Sequence, residues 1–356
     1  MRLRHLSALV LFLAWSASAL ANDKLYPAIS ASANQTLIIY SSLDISAAEP
    51  LIMDFQESNA DVGIHYYEMQ TIEIYERVIR ETEDDVSTAD LIISSAMDLQ
   101  MKLANDGYAQ ALNLAGAAGW PNWASWRDTA FALTYEPSVI VYHKPSFDGR
   151  TVPKTRAALQ ELLNEPDDPF YGRIATYDIE RAGLGFLFLA RDAEHARDIW
   201  SLVKAMGAAG VKLYSNSSAI LERVADGRFA VGYNILGSYA KSWVENHPDL
   251  GIILPSDFTV VMSRIALVPE AAARPQLGVR FLDYLMSEQG QQILATKAGI
   301  PALHPNVTGE NTASALRLES GAQLRPISVS PGLLVYLDQV KRARFVQKWN
   351  KALREK

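Results

Sequence analysis

The chain contains no cysteine. Disulfides, thiolate metal ligands and a lipid-anchored cysteine are therefore excluded, and a core drawn from 356 residues does not need such staples. Beyond residue 21 no run is long and apolar enough to cross a bilayer, which takes roughly 20 residues. Positive charge is not in excess either: 33 Lys and Arg stand against 40 Asp and Glu, a formal net charge of -7. An acidic surface argues against nucleic acid and anionic membrane as partners. It does not argue against a small anionic ligand, which meets the local donors of a pocket rather than the net charge. Internal repeats of roughly 20 to 50 residues and low-complexity tracts are also missing.

Signatures of catalysis are absent as well. Gly237-Ser238 lacks the Gly-x-Ser-x-Gly elbow, and no obvious His and acid pair stands ready to activate the serine, so an exported hydrolase is the least favoured reading. Gly183-Leu184-Gly185 lacks the third glycine of a dinucleotide fingerprint, and there is no Walker lysine motif. His65, His143, His195, His247 and His304 are widely spaced, which suits no metal pattern. No cofactor is expected.

What is present begins with an address. Arg2, Arg4 and His5 precede an apolar run from Leu6 to Trp15, and Ala19-Leu20-Ala21 fits the small-residue cleavage rule of a secretory signal peptide cut before Asn22. A membrane anchor is the alternative, but the run is short for one. Residues 1–21 are thus read as a signal peptide and the protein as periplasmic; losing two arginines takes the formal charge from -7 to -9.

After a soft leader ending near Gln35, strands alternate with helices. Leu37 to Tyr40, Gly63 to Tyr67 and Asp90 to Ile93 read as strands; Ala47 to Glu57, Ile72 to Glu83 and Ala96 to Asp106 read as helices. This alternation argues for parallel sheets with covered faces, where ligands bind outside the carboxyl ends of the strands. Those ends carry paired serines, Ser41-Ser42 and Ser94-Ser95. The loop with Trp120, Trp123 and Trp126 reads as core cover rather than a stacking platform, since aromatics dominate burial.

Tyr135 to Ser138 is read as a first crossing between lobes and Ser256-Asp257 as a second. Farther on, Gly183 opens a helix beside Arg181, and Asn216-Ser217-Ser218 caps another. The stretch Val231 to Ala240 is an apolar strand running through Gly237-Ser238 into a helix, read as the floor of a site. Along the terminal helical stretch, Leu333 to Leu353, basic residues read as a solvated face.

Leu37 to Ser42, Ala89 to Ser95, Gly227 to Asn234 and Phe281 to Gln291, in this order behind a signal peptide, resemble the periplasmic solute-binding proteins of ABC importers, in their ferric-iron and organophosphate branch. The resemblance implies the type II fold: two α/β lobes, each a mixed, mainly parallel sheet flanked by helices, joined by two crossing strands around a ligand cleft. The expected division is residues 36–134 plus 258–300 in lobe 1 and 135–257 plus 301–356 in lobe 2. Implied partners are a small ligand and an inner-membrane permease or, alternatively, a sensor kinase; the protein is expected to be a monomer.

Iron-binding members of the group use adjacent tyrosines after the strand corresponding to Ala230 to Asn234. Here Ile235-Leu236-Gly237-Ser238-Tyr239 follows, so the tandem phenolates are missing and no metal site is expected, although ferric iron stays as an alternative. Tyr66-Tyr67 does not replace them, because adjacent side chains on a strand point to opposite faces. What remains is a donor set suited to a phosphate or carboxylate: Ser41, Ser42, Ser94 and Ser95 from one lobe, and Thr176, Arg181, Gly183, Ser217, Asn234, Ser238 and Tyr239 from the other. Helix capping is the competing role for each serine.

Overall fold

The computed structural model describes residues 22–30, 35–117, 119–165, 169–319 and 323–355. The signal-peptide reading of residues 1–21 lies outside the described residues, as does most of the turn expected at 166–169.

The chain opens with β1 (Asn22–Tyr26), β2 (Gln35–Ser41), α1 (Ile45–Ser58), β3 (Val62–Glu68), α2 (Thr71–Glu83), β4 (Leu91–Ser94) and α3 (Met97–Asn105). The short strands β5 (Ser125–Trp126) and β6 (Ala130–Ala132) follow. Next come β7 (Glu136–His143), α4 (Arg156–Leu163), β8 (Ile174–Tyr177), α5 (Gly183–His195), α6 (Ile199–Ala208), β9 (Lys212–Tyr214), α7 (Ser217–Ala225), β10 (Val231–Leu236) and α8 (Gly237–Val244). The remainder is β11 (Leu250–Ile253), β12 (Thr259–Met262), β13 (Ile265–Leu267), α9 (Pro275–Met286), α10 (Glu288–Thr296), α11 (Ala313–Glu319), β14 (Leu324–Pro326) and α12 (Gln339–Arg354).

Two sheets result. The first runs β1-β3-β2-β4-β13-β6-β5 and the second β14-β12-β7-β10-β8-β9, with β11 also pairing β7. Strands β2, β3 and β4 are parallel to one another, as are β8, β9 and β10. Helices cover both faces, so β4 and β10 are buried along their whole length and read as continuous apolar runs. Tyr66 and Tyr67 confirm the pleat: the first packs in the main core, the second against the cluster on the opposite face. Trp120 is buried and donates to the Ala132 carbonyl at 3.0 Å, the covering role expected of that loop.

Two findings differ from the sequence expectation. The leader is not soft throughout, because β1 adds antiparallel to the edge of β3. The second crossing is not at Ser256-Asp257: β11 and β12 both belong to the second sheet, and the chain changes sheets at Ser263-Arg264. The expected start of the second part of lobe 1 at residue 258 therefore falls inside the second sheet. Two apolar strands flanking a short polar break look like a crossing between lobes in sequence, although both pair with β7 in one sheet.

The crossing segments lie side by side. Leu133 N donates to Arg264 O at 2.9 Å, Arg264 N to Thr134 Oγ1 at 2.8 Å, and Ser263 Oγ to Thr134 O at 2.6 Å. Between them sits a buried ion pair, Arg264 Nε to Glu136 Oε1 at 3.1 Å, with residues 1% and 0% exposed. The tail links the lobes again: the 3-10 turns at Pro331–Leu337 pack on α3, whereas α12 packs on α6.

Removing one member of a buried pair leaves an uncompensated charge, at a cost of about 3–5 kcal/mol. Glu136→Leu should therefore lower unfolding free energy by about that amount in urea titration, and Glu136→Leu with Arg264→Met should recover most of it. A loss below about 1 kcal/mol for the single variant would show that the pair does not hold the crossing.

Candidate functional site

At the carboxyl end of each central parallel strand the chain turns into a helix, and these junctions from both sheets meet across one cleft of about 460 Å³. The first sheet supplies Ser42 and Asp44 after β2, Glu68 to Thr71 after β3, and Ser95 and Asp98 after β4. The second supplies Tyr177, Arg181 and Gly183 after β8, Ser215 to Ser218 after β9, and Leu236 and Tyr239 after β10. Arg264 enters from the crossing, and Leu337 and Arg342 enter from the tail.

Of the residues singled out in sequence, Ser42, Ser95, Arg181, Gly183, Ser217 and Tyr239 line this cleft. Ser42 and Ser95 are joined, with Ser95 N donating to Ser42 Oγ at 3.0 Å. Ser217 is bonded to the Tyr177 hydroxyl. Arg181 is exposed at the rim.

Ser41, Ser94, Thr176, Asn234 and Ser238 do not line it, each for a local reason. Ser41 and Ser94 accept from the backbone N–H two residues on, Leu43 at 3.0 Å and Ala96 at 3.3 Å, tightening the turns. Thr176 donates to Tyr233 O at 3.0 Å and so fastens β8 to β10. Ser238 donates to Glu136 Oε2 at 2.5 Å and belongs to the crossing network. Asn234 stands in a bulge of β10 with φ 62°, a left-handed conformation that Asn tolerates. Its Nδ2 donates to Asp192 Oδ2 at 2.7 Å. Asp192 in turn holds Arg156 at 2.7 Å and the Tyr233 hydroxyl at 2.7 Å, a buried network away from the cleft. The stretch Val231 to Ala240 is therefore framework beside the site, touching the cleft only at Leu236 and Tyr239.

The electrostatics of the cleft are set by helix ends. The N-termini of α2, α3 and α5 have no side-chain cap, while Asn216 caps α7 through Ala219 N at 2.9 Å. The α2 and α5 ends face each other: a Cβ built on Gly183 meets Thr71 Oγ1 of the opposite lobe at 3.6 Å. Each such end carries about half a positive charge and free N–H groups. Arg264 adds a buried guanidinium whose Nη1 donates to Ser42 O at 3.1 Å, while Nη2 has no hydrogen-bond partner among the described residues. Against these stand Asp44, Glu68, Asp98 and Glu180. Tyr239 donates to Asp44 Oδ1 at 2.6 Å and ties the lobes together as a neutral phenol, its pKa raised by burial. Burial also pushes the Tyr177 phenol up to about 12. Among the described residues no group of three or more His, Asp or Glu is placed to hold a metal ion.

The sequence profile of bacterial extracellular solute-binding proteins matches residues 37–300. The chain belongs to this family. The crystal structure of the substrate-binding protein of the ABC transporter from Agrobacterium tumefaciens is 60% identical, with a TM-score of 0.89, and the match covers 94% of this chain and 99% of that one. Two more distant structures share the type II periplasmic binding protein fold, each at 16% identity over 90% of this chain and 99% of theirs. They are iron-bound HitA from Pseudomonas aeruginosa, with a TM-score of 0.70, and AfuA from Actinobacillus pleuropneumoniae with exogenous fructose-6-phosphate bound, with a TM-score of 0.74. Among curated proteins, none matches. A solute-binding protein of this kind is a receptor and not an enzyme.

Sequence reasoning missed Asp44, Glu68, Asp98, Tyr177, Arg264 and Arg342. Asp44 and Asp98 sit two and three residues beyond the paired serines, and a junction that ends in a carboxylate was the available signal. Asp98 is 2% exposed, and burial raises its pKa to about 6, with the Leu99 N–H and the Arg342 charge opposing the rise. A folded-state pKa above the unfolded value means that the native protein binds the extra proton. Stability at this group is therefore gained as pH falls from about 6 toward 4 and lost as pH rises through 6. Asp98→Asn should raise the melting temperature at pH 7.5 and flatten its pH dependence between about pH 4 and 6, on the order of 2–3 kcal/mol from the size of the shift. An unchanged profile would place the carboxylate in contact with solvent.

Proposed function

We propose that this solute-binding protein captures a small organic anion, with a phosphate or carboxylate group, between its lobes in the periplasm and delivers it to an ABC import permease. One observation carries the reading. The N-termini of α2, α3, α5 and α7, the first three without side-chain caps, converge from both lobes on a cleft that Arg181 and Arg264 also line. Positive helix ends facing each other across a gap repel, and an anion between them turns that repulsion into attraction. Charged hydrogen bonds contribute about 1.5–3 kcal/mol each, so a few of them reach the roughly -8 kcal/mol of micromolar affinity after ordering costs.

The cleft carboxylates narrow the class. Asp44 and Asp98 would accept hydrogen bonds from hydroxyls, which favours a phosphorylated polyol or sugar over a bare phosphate. AfuA was crystallised with fructose-6-phosphate, which supports this choice, and the ABC-transporter description of the Agrobacterium protein supports the delivery step. Ferric iron is less well supported. The cleft phenols Tyr177 and Tyr239 are held protonated by burial and bonded to Ser217 and Asp44.

Thermal-shift and calorimetric titration of the purified protein should show binding of fructose-6-phosphate or another organophosphate. Arg181→Ala should weaken it by about 2 kcal/mol, roughly thirtyfold, with the fold intact. A protein stabilised by ferric citrate and by no organic anion would sink the reading.

A further inference from the structure

Asp98 poses a separate question. It lies in the first turn of α3, lines the cleft and is 2% exposed. The Leu99 N–H lies on its carboxylate, yet Oδ1 has no partner among the described residues. A buried acceptor without a donor is costly, and in a ligand cleft the missing donor arrives with the ligand or with a water that the ligand displaces. The same cleft takes Arg342 of α12, whose positive charge is felt at Asp98. Its guanidinium is 4.1 Å from the centre of the Phe186 ring.

The pairing restricts the donor's charge. Arg342 already supplies a positive charge to Asp98, so a ligand ammonium brought there would gain one partner and be repelled by the other. A hydroxyl meets no such opposition. The two residues also come from different parts of the molecule. Asp98 is in the first lobe, whereas α12 packs on α6 of the second and lies beyond residues 37–300 that the family profile matches.

We infer that Asp98, backed by Arg342, is a specificity-determining residue that accepts a hydrogen bond from a neutral hydroxyl of the bound anion. This deepens the anion reading and rests on it. The ligand is then a hydroxylated organic anion held at two points: its charge by the helix ends, Arg181 and Arg264, and its hydroxyl by Asp98. The C-terminal helix, beyond the residues that the family profile matches, takes part in choosing it.

The test compares three probes by isothermal titration of the full chain: fructose-6-phosphate, hexyl phosphate and 6-aminohexyl phosphate. Asp98→Ala should weaken fructose-6-phosphate at least about tenfold more than hexyl phosphate, the effect of one lost hydrogen bond to a charged group. Asp98→Asn, whose neutral amide oxygen still accepts, should recover part of the fructose-6-phosphate binding that Asp98→Ala loses, and its undiminished melting temperature serves as the folding control. Equal weakening of both probes by Asp98→Ala would overturn the role of Asp98. Tighter binding of 6-aminohexyl phosphate than of fructose-6-phosphate by the parent protein would overturn the neutral donor. Silence of the parent protein toward all three phosphates is a different result: it removes the phosphorylated ligand from the proposed function, and this inference with it.

Discussion

The buried pair of Arg264 and Glu136 is the constraint on which the rest of the molecule depends. Both residues sit where the chain changes sheets, and Glu136 also receives the Thr134 and Ser238 hydroxyls. An apolar pair of similar volume would stabilise the crossing at least as well, because taking two charges out of water is expensive. The ion pair does something that apolar packing would not. It fixes one guanidinium edge against the hinge carboxylate and a second against the Ser42 carbonyl, in a residue that also lines the cleft. The hinge and the ligand site thus share a side chain.

A second buried cluster plays the matching part within the second lobe. Arg156 donates to Asp192, to the Tyr233 hydroxyl and to Phe258 O, and lies 3.7 Å from the centre of the Phe258 ring. Asn234 completes it from the bulge in β10. This cluster clamps α4, α5 and β10 to the segment that leads into β12, so the lobe behind the hinge is rigid. Between rigid lobes, motion concentrates in the two crossing segments. The Tyr239 to Asp44 bond is then a latch of about 1.5–3 kcal/mol between the lobes, strong enough to bias closure and weak enough to yield.

The architecture was legible in the sequence because a covered parallel strand leaves a distinctive trace: a short β-branched apolar run followed by small polar residues and a helical period. That trace located the β2, β4, β8 and β10 junctions. It did not say which residue of a junction faces the cleft. Ser41 and Ser42 are adjacent and chemically identical, yet one tightens a turn and the other lines the site, because the pleat sends neighbours to opposite sides. Asn234 differs for another reason. Its polarity in an apolar strand suggests a ligand donor, whereas it satisfies a buried carboxylate and supplies a left-handed residue at a bulge. Arg264 was the opposite case, a lone cation between apolar strands whose oddity marked the true crossing. Arg342 had no local mark at all, since a basic residue on an amphipathic helix normally faces water.

A protein with formal net charge -7 is nevertheless suited to an anion, and the reason is scale. Surface carboxylates are screened over about 8 Å at physiological salt, whereas helix ends and a buried guanidinium act on a ligand in contact with them and shielded from water. The positive elements of the cleft are mostly backbone groups, which no count of charged residues reveals. They also come from both lobes. Separated, the α2 and α5 ends are hydrated and mutually indifferent; brought together they repel until something negative stands between them. Under the proposed reading, an anion would be the component that makes the approach of these two ends favourable. The same logic disfavours a ligand that is only an anion: Asp44, Glu68 and Asp98 would face it with negative charge, unless hydroxyls on the ligand turn those carboxylates into acceptors.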